Sequence, residues 1–124
     1  MEYRITYTSD IYTLNSIIVT QDTTTSNSSG TFVGYPVTSI SGTLNGAPIT
    51  GLTSPGGFGG NDNIFLFSQH TPDLDAGGLS FTTASNQLNL NYNGHYTMFG
   101  ANSPSDSSSS SRGFGVTVLV ASFN

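Results

Sequence analysis

The chain has 124 residues, enough for one domain around a single core. Ser, Thr, Asn and Gly fill half of it, charged residues make up only 7%, and the two cations are arginines, Arg4 and Arg112, in a chain of net charge −5. Nucleic acid is excluded as a partner because counterion release needs clustered basic residues. A transmembrane helix is excluded too: the longest apolar runs, Ile64 to Phe67 and Val118 to Ala121, fall far short of the roughly 18–20 residues a span needs. The absence of cysteine removes disulfides, thiolate chemistry and Cys-based zinc sites. The opening MEYRITYTSD lacks the basic and apolar regions of a secretory leader. Six tyrosines and eight phenylalanines, with β-branched residues spread along the chain, supply enough apolar surface to fold.

Taken in chain order, period-2 alternation recurs and no helical pattern is sustained. Glu2 to Thr8 puts Tyr3, Ile5 and Tyr7 on one face. Ile11 to Thr20 reads as a second strand, bulged near Asn15-Ser16, and the polar Gln21 to Gly30 reads as loop. In SISGTLNGAPITGL, Asn45-Gly46 separates two alternating runs, the pattern of a type I′ hairpin whose central residues take positive φ. Closing that turn pairs Leu44 with Ala47, Gly42 with Ile49 and Ile40 with Gly51 on one face, leaving the Ser/Thr positions on the other. Thr53 to Asp62 is loop, and Ile64 to Ser68 is a short buried strand. Gln69 to Gly78 is loop again, followed by a strand over Leu79 to Thr83. Leu88, Leu90 and Tyr92 alternate with Asn89, Asn91 and Asn93 as a half-buried strand, and Asn93-Gly94 repeats the hairpin signal before His95 to Phe99. Ala101 to Arg112 is low-complexity loop. Phe114 to Phe123 is apolar on both faces and should be central or covered. About eight hairpin-connected strands predict one all-β domain over 1–124, an antiparallel β-sandwich or small β-barrel.

The strings GTLNGAPITGL, GGFGGNDNIFLF, DLDAGGLSFTTAS and LNLNYNGHY, in that order, resemble the globular part of small secreted bacterial proteins that carry a PEP-CTERM sorting tail. The likeness covers roughly Ser39 to Tyr96. The chain departs from that pattern in ending at VLVASFN, without the Pro-Glu-Pro tail, and in lacking a signal peptide. The resemblance implies export and a place at the cell surface or in an extracellular matrix, and it implies no catalytic activity.

Three constellations carry candidate chemistry. Asp62, Asp73 and Asp75, with Asn61, Asn63 and loop carbonyls, have the composition of an oxygen cage for Ca²⁺, set against the ordinary use of Asp and Asn to start turns beside glycine. GGFGGNDNI also comes close to a GGxGxDxU calcium repeat, with Asn61 where the aspartate belongs. His70 and His95 have no metal-ligand or catalytic spacing, and there is no GxSxG, so the expectation is a non-enzyme without a cofactor. Tyr92 and Tyr96 with Asn89 and Asn91 suit sugar binding, aromatic faces stacking on pyranose C–H groups and amides matching hydroxyl pairs. The third concerns self-association: without lysine the sheet edges lack their usual charged guards. Tyr3, Ile5 and Tyr7 near one end and Val116, Val118 and Val120 near the other are the candidate strands for adding to a second copy. The expected role is a secreted, self-associating structural subunit, with a carbohydrate-binding module as the alternative and polysaccharide as its partner.

Overall fold

The computed structural model describes residues 2–9, 11–26, 33–66, 74, 77–92 and 96–100, and the backbone of 110–112 and 115–120. These residues form an all-β, antiparallel fold with no helix among them. In chain order the strands are β1 (Glu2–Thr8), β2 (Thr13–Thr20), β3 (Thr25–Ser26), β4 (Val33–Leu44), β5 (Ala47–Leu52), β6 (Ile64–Phe65), β7 (Leu79–Thr83), β8 (Gln87–Tyr92), β9 (Tyr96–Gly100), β10 (Ser110–Arg112) and β11 (Gly115–Val120). One sheet runs β10-β9-β8-β7-β5-β4-β2-β1-β11, and the two-residue β3 and β6 pair with the first half of β4.

That order curls the sheet into a half-barrel. With every neighbour antiparallel, β10 and β11 run in the same direction although they stand at opposite ends of the order. Only two residues separate Arg112 from Gly115, so the ends of the sheet lie within about 11 Å of each other there. The last part of the chain thus pairs first with β9 and then with β1.

The inner face is the core. Alternation in β1 buries Tyr3, Ile5 and Tyr7, as the sequence pattern predicts, and β2 adds Leu14 and Ile18. Across the curl, Leu79 and Phe81 of β7, Leu88 and Leu90 of β8 and Met98 of β9 are fully buried, with Phe65 of β6 filling the middle against Tyr3, ring centroids 4.6 Å apart. The Asn45-Gly46 turn forms as expected, with φ of +52° and +82°, and pairs Leu44 with Ala47 and Thr43 with Pro48. Beyond Pro48, β5 turns to β7, where Thr50 is an extra residue between Ile49↔Thr83 and Gly51↔Thr82.

Several local expectations change, among them the expected 21–30 loop, in which Thr25–Ser26 form β3. β2 runs unbroken through Asn15-Ser16, because Ser16 donates its hydroxyl to the Ile5 carbonyl while Asn15 faces out. The irregularity falls instead between Val19 and Thr20, which pair with Ser39 and Val37 and leave Thr38 unmatched. The bulge switches the buried positions of β4 from Leu44 and Ile40 to Val37. β4 also starts earlier than the hairpin pattern shows, at Val33, and the serine run contributes β10. β11 stands at the end of the sheet order rather than at its centre, with β1 as its partner.

Candidate functional site

The polar residues that suggested a ligand site hold a loop down instead. Residues 53–63 fold over the outer face of β7, β8 and β9. Phe58 packs its ring on Phe99 with centroids 5.4 Å apart, and its carbonyl accepts the Ser80 hydroxyl at 2.7 Å. Asn61 is the hub of the loop. Its Nδ2 donates to the Thr53 carbonyl and to Asn63 Oδ1, at 3.1 and 2.8 Å, while its Oδ1 accepts the Phe58 N–H. Asn63, held at φ +54°, donates to the Thr53 carbonyl at 2.7 Å and accepts the Ser80 N–H at 3.1 Å. Asparagine is suited to this position because it tolerates the left-handed region and can bond its local backbone there.

The network continues along the strands. Asn89, fully buried, donates to the Gly77 carbonyl at 2.9 Å and to Ser80 Oγ at 2.7 Å. Its Oδ1 accepts Asn91 Nδ2 at 2.8 Å, and Asn91 Oδ1 in turn accepts the Thr97 hydroxyl at 3.0 Å. The nitrogen and the oxygen of each amide are engaged, as buried polar groups require. Asn89 and Asn91, expected on a glycan-binding face, are buried, with Gly59 close over Asn89 and Gly78 close over Asn91. Tyr92 and Tyr96 are half-buried and meet edge to face, 5.0 Å between centroids, with Tyr96 packed on the core.

Of the three candidate calcium aspartates, Asp62 alone is among the described residues. Asp62 lies at the edge of burial, and its Oδ1 accepts the Ile64 N–H at 3.2 Å in a local turn. The side-chain oxygens of Asn61 and Asn63 accept N–H groups of Phe58, Asn61 and Ser80. Asp73, Asp75, His70 and His95 lie outside the described residues, as do Asn93 and Gly94. Among the described residues no three His, Asp or Glu side chains gather as a metal site, and no helix is long and apolar enough to cross a membrane.

For self-association the two candidate strands separate. Tyr3, Ile5 and Tyr7 are 3%, 1% and 0% exposed, and β1 is paired on both edges, by β2 and by β11. They are core, not a docking face, because the terminal strands complete each other within one chain. Val116, Val118 and Val120 stand in register with Tyr7, Ile5 and Tyr3. Burial, reinforced by the negative charge that Tyr35 and Asp22 bring, raises the Tyr3 phenol above its ordinary value.

A second polar region lies on the outer face of β1, β2 and β4, and the sequence did not single it out. Register aligns Arg4 with Ile17 and Ser41, and Thr6 with Asn15 and Thr43. At Gly42 the backbone takes φ +125°, and an added Cβ would collide with the Asn15 carbonyl oxygen. Beside this glycine a depression of about 220 Å³ opens, bordered by Arg4, Asn15, Ile17, Ser41, Gly42 and Thr43. The legible signal was the glycine itself, standing in an alternating strand where no turn calls for one. No known family model, characterised protein or solved structure matches the chain.

Proposed function

We infer that this chain is a non-catalytic structural protein of the cell surface or extracellular matrix that associates with copies of itself. The observation that carries this reading is β11: six residues, GVTVLV, with no charge and no proline, at the end of the sheet order. Folded proteins blunt such edges with lysine, proline or bulges, and this chain has no lysine to use. A further strand laid along β11 extends the sheet by main-chain hydrogen bonds alone. Export and surface placement rest on the likeness to PEP-CTERM proteins.

The test is Thr117→Lys, which sets a charge on β11 opposite Thr6. Light scattering across a concentration series should show association in the parent and a shift of the midpoint by at least about tenfold in the variant, the weakening expected from one edge charge. A parent that stays monomeric at high concentration, or a variant that associates as the parent does, removes this reading.

A second reading, a carbohydrate-binding module, is supported by the depression on β1, β2 and β4. Its rim offers hydroxyls at Ser41 and Thr43 and an amide at Asn15 around the apolar Ile17 side chain. That combination matches a sugar ring, whose edge is polar and whose C–H faces are not. Retention on polysaccharide columns, measured for the parent and for Asn15→Ala, tests it; equal passage of both without retardation counts against it.

A further inference from the structure

We propose that the depression bordered by Arg4, Asn15, Ile17, Ser41, Gly42 and Thr43 binds a carboxylated sugar, a uronate unit of an acidic polysaccharide. The proposal rests on the carbohydrate-binding reading and names its ligand class. Three observations carry it. The first is charge: Arg4 is the only cation among the residues with described side chains, in a chain with seven acidic residues, and it lies exposed on this face. A guanidinium offers a planar fork of donors that matches a carboxylate in a bidentate, charge-assisted pair, stronger than its bonds to neutral hydroxyls.

The second is the state of the neighbouring polar groups. Asn45, Asn61, Asn63, Asn89 and Asn91 all direct their amides to partners within the fold. Asn15 lies exposed beside Arg4, and among the described residues its side chain makes no hydrogen bond within the fold. It offers two donors and an acceptor to an incoming ligand, and Ser41 and Thr43 add hydroxyls. The third is shape. The volume of about 220 Å³ suits one six-membered ring, and Ile17, in register between Arg4 and Ser41, adds an apolar side chain to the lining. Gly42 is needed for this form, since φ +125° with the Asn15 carbonyl at its side leaves no room for a side chain. Glu2, two residues before Arg4 on the same strand face, weakens the local positive field without bordering the depression.

The test is a titration of the full chain, followed by the backbone amide signals of Ile17, Ser41 and Thr43. The probes are a galacturonate trisaccharide, the neutral galactose trisaccharide and acetate, all at low salt. The expected result is a shift of those signals by the galacturonate probe only. Arg4→Gln should weaken binding by at least about tenfold, and Glu2→Gln should strengthen it about twofold, the direction set by the lost or gained positive potential. Arg4 and Glu2 are not in the core, so both variants fold, and unchanged chemical shifts elsewhere verify that. Equal binding of the neutral probe, or indifference to Arg4→Gln, overturns the acidic class and leaves the carbohydrate reading standing. Shifts with acetate as strong as with galacturonate reduce the site to a carboxylate contact and overturn the proposal. No shift with either trisaccharide overturns both.

Discussion

Two regions built from the same residue types behave in opposite ways. On the outer face of β7, β8 and β9, Ser80, Asn89 and Asn91 are buried and bonded within the fold, Ser80 to the Phe58 carbonyl, Asn89 to Gly77 and Ser80, and Asn91 to Asn89 and Thr97. On the outer face of β1, β2 and β4, Asn15 and Ser41 are open to solvent around an exposed arginine. Composition is alike in both; coverage is not. A strand that alternates apolar with amide side chains becomes a scaffold where a loop returns over it and a free surface where none does. In the covered region an amide is costly to remove, because its partners are left buried and unbonded. In the open region water replaces the lost partner.

This contrast gives a graded set of expectations. Asn89→Ala removes two donated bonds and one accepted bond at a fully buried site, and should cost about 2–4 kcal/mol in urea or thermal unfolding. Asn63→Ala should fall in the same range of about 2–4 kcal/mol, with left-handed strain added to the lost bonds. Asn63→Gly separates the two contributions, since glycine keeps the φ of +54° without strain and loses only the amide. Tyr12→Phe should leave stability unchanged or raise it by up to about 1 kcal/mol, because the Tyr12 hydroxyl is buried with no hydrogen-bond partner. Smallest of all, Asn15→Ala should change stability by no more than about 0.5 kcal/mol. If Asn15→Ala costs as much as Asn89→Ala, the distinction between the two faces fails.

The parts of the fold that were legible are those set by local pattern. Alternation in Glu2–Thr8 identified Tyr3, Ile5 and Tyr7 as one face, and Asn45-Gly46 located the turn and its closing pair. The direction of that face was legible, but its setting was not: the second edge of β1 is paired by β11, which comes more than a hundred residues later. Asn89 and Asn91 show the same limit. Their alternation with Leu88 and Leu90 is identical whether water or a loop lies over the polar side, and only the return of Gly59 and of residues 77–78 decides it. Asn61, Asp62 and Asn63 stood out as a polar cluster beside glycines, but their part in holding the 53–63 loop was not legible, because amide oxygens serve N–H donors as readily as cations. The bulge at Thr38 and the strand in the serine run left no side-chain signal, being consequences of pairing rather than of pattern.

The central claim is that the amides of the covered face are engaged by the fold and that of Asn15 is not. Hydrogen exchange of the asparagine side-chain amides, read by NMR on the native chain, tests it directly. The account predicts strong protection at Asn61, Asn63, Asn89 and Asn91, and exchange at Asn15 near the rate of a free amide. Exchange at Asn89 and Asn91 as fast as at Asn15 would contradict it.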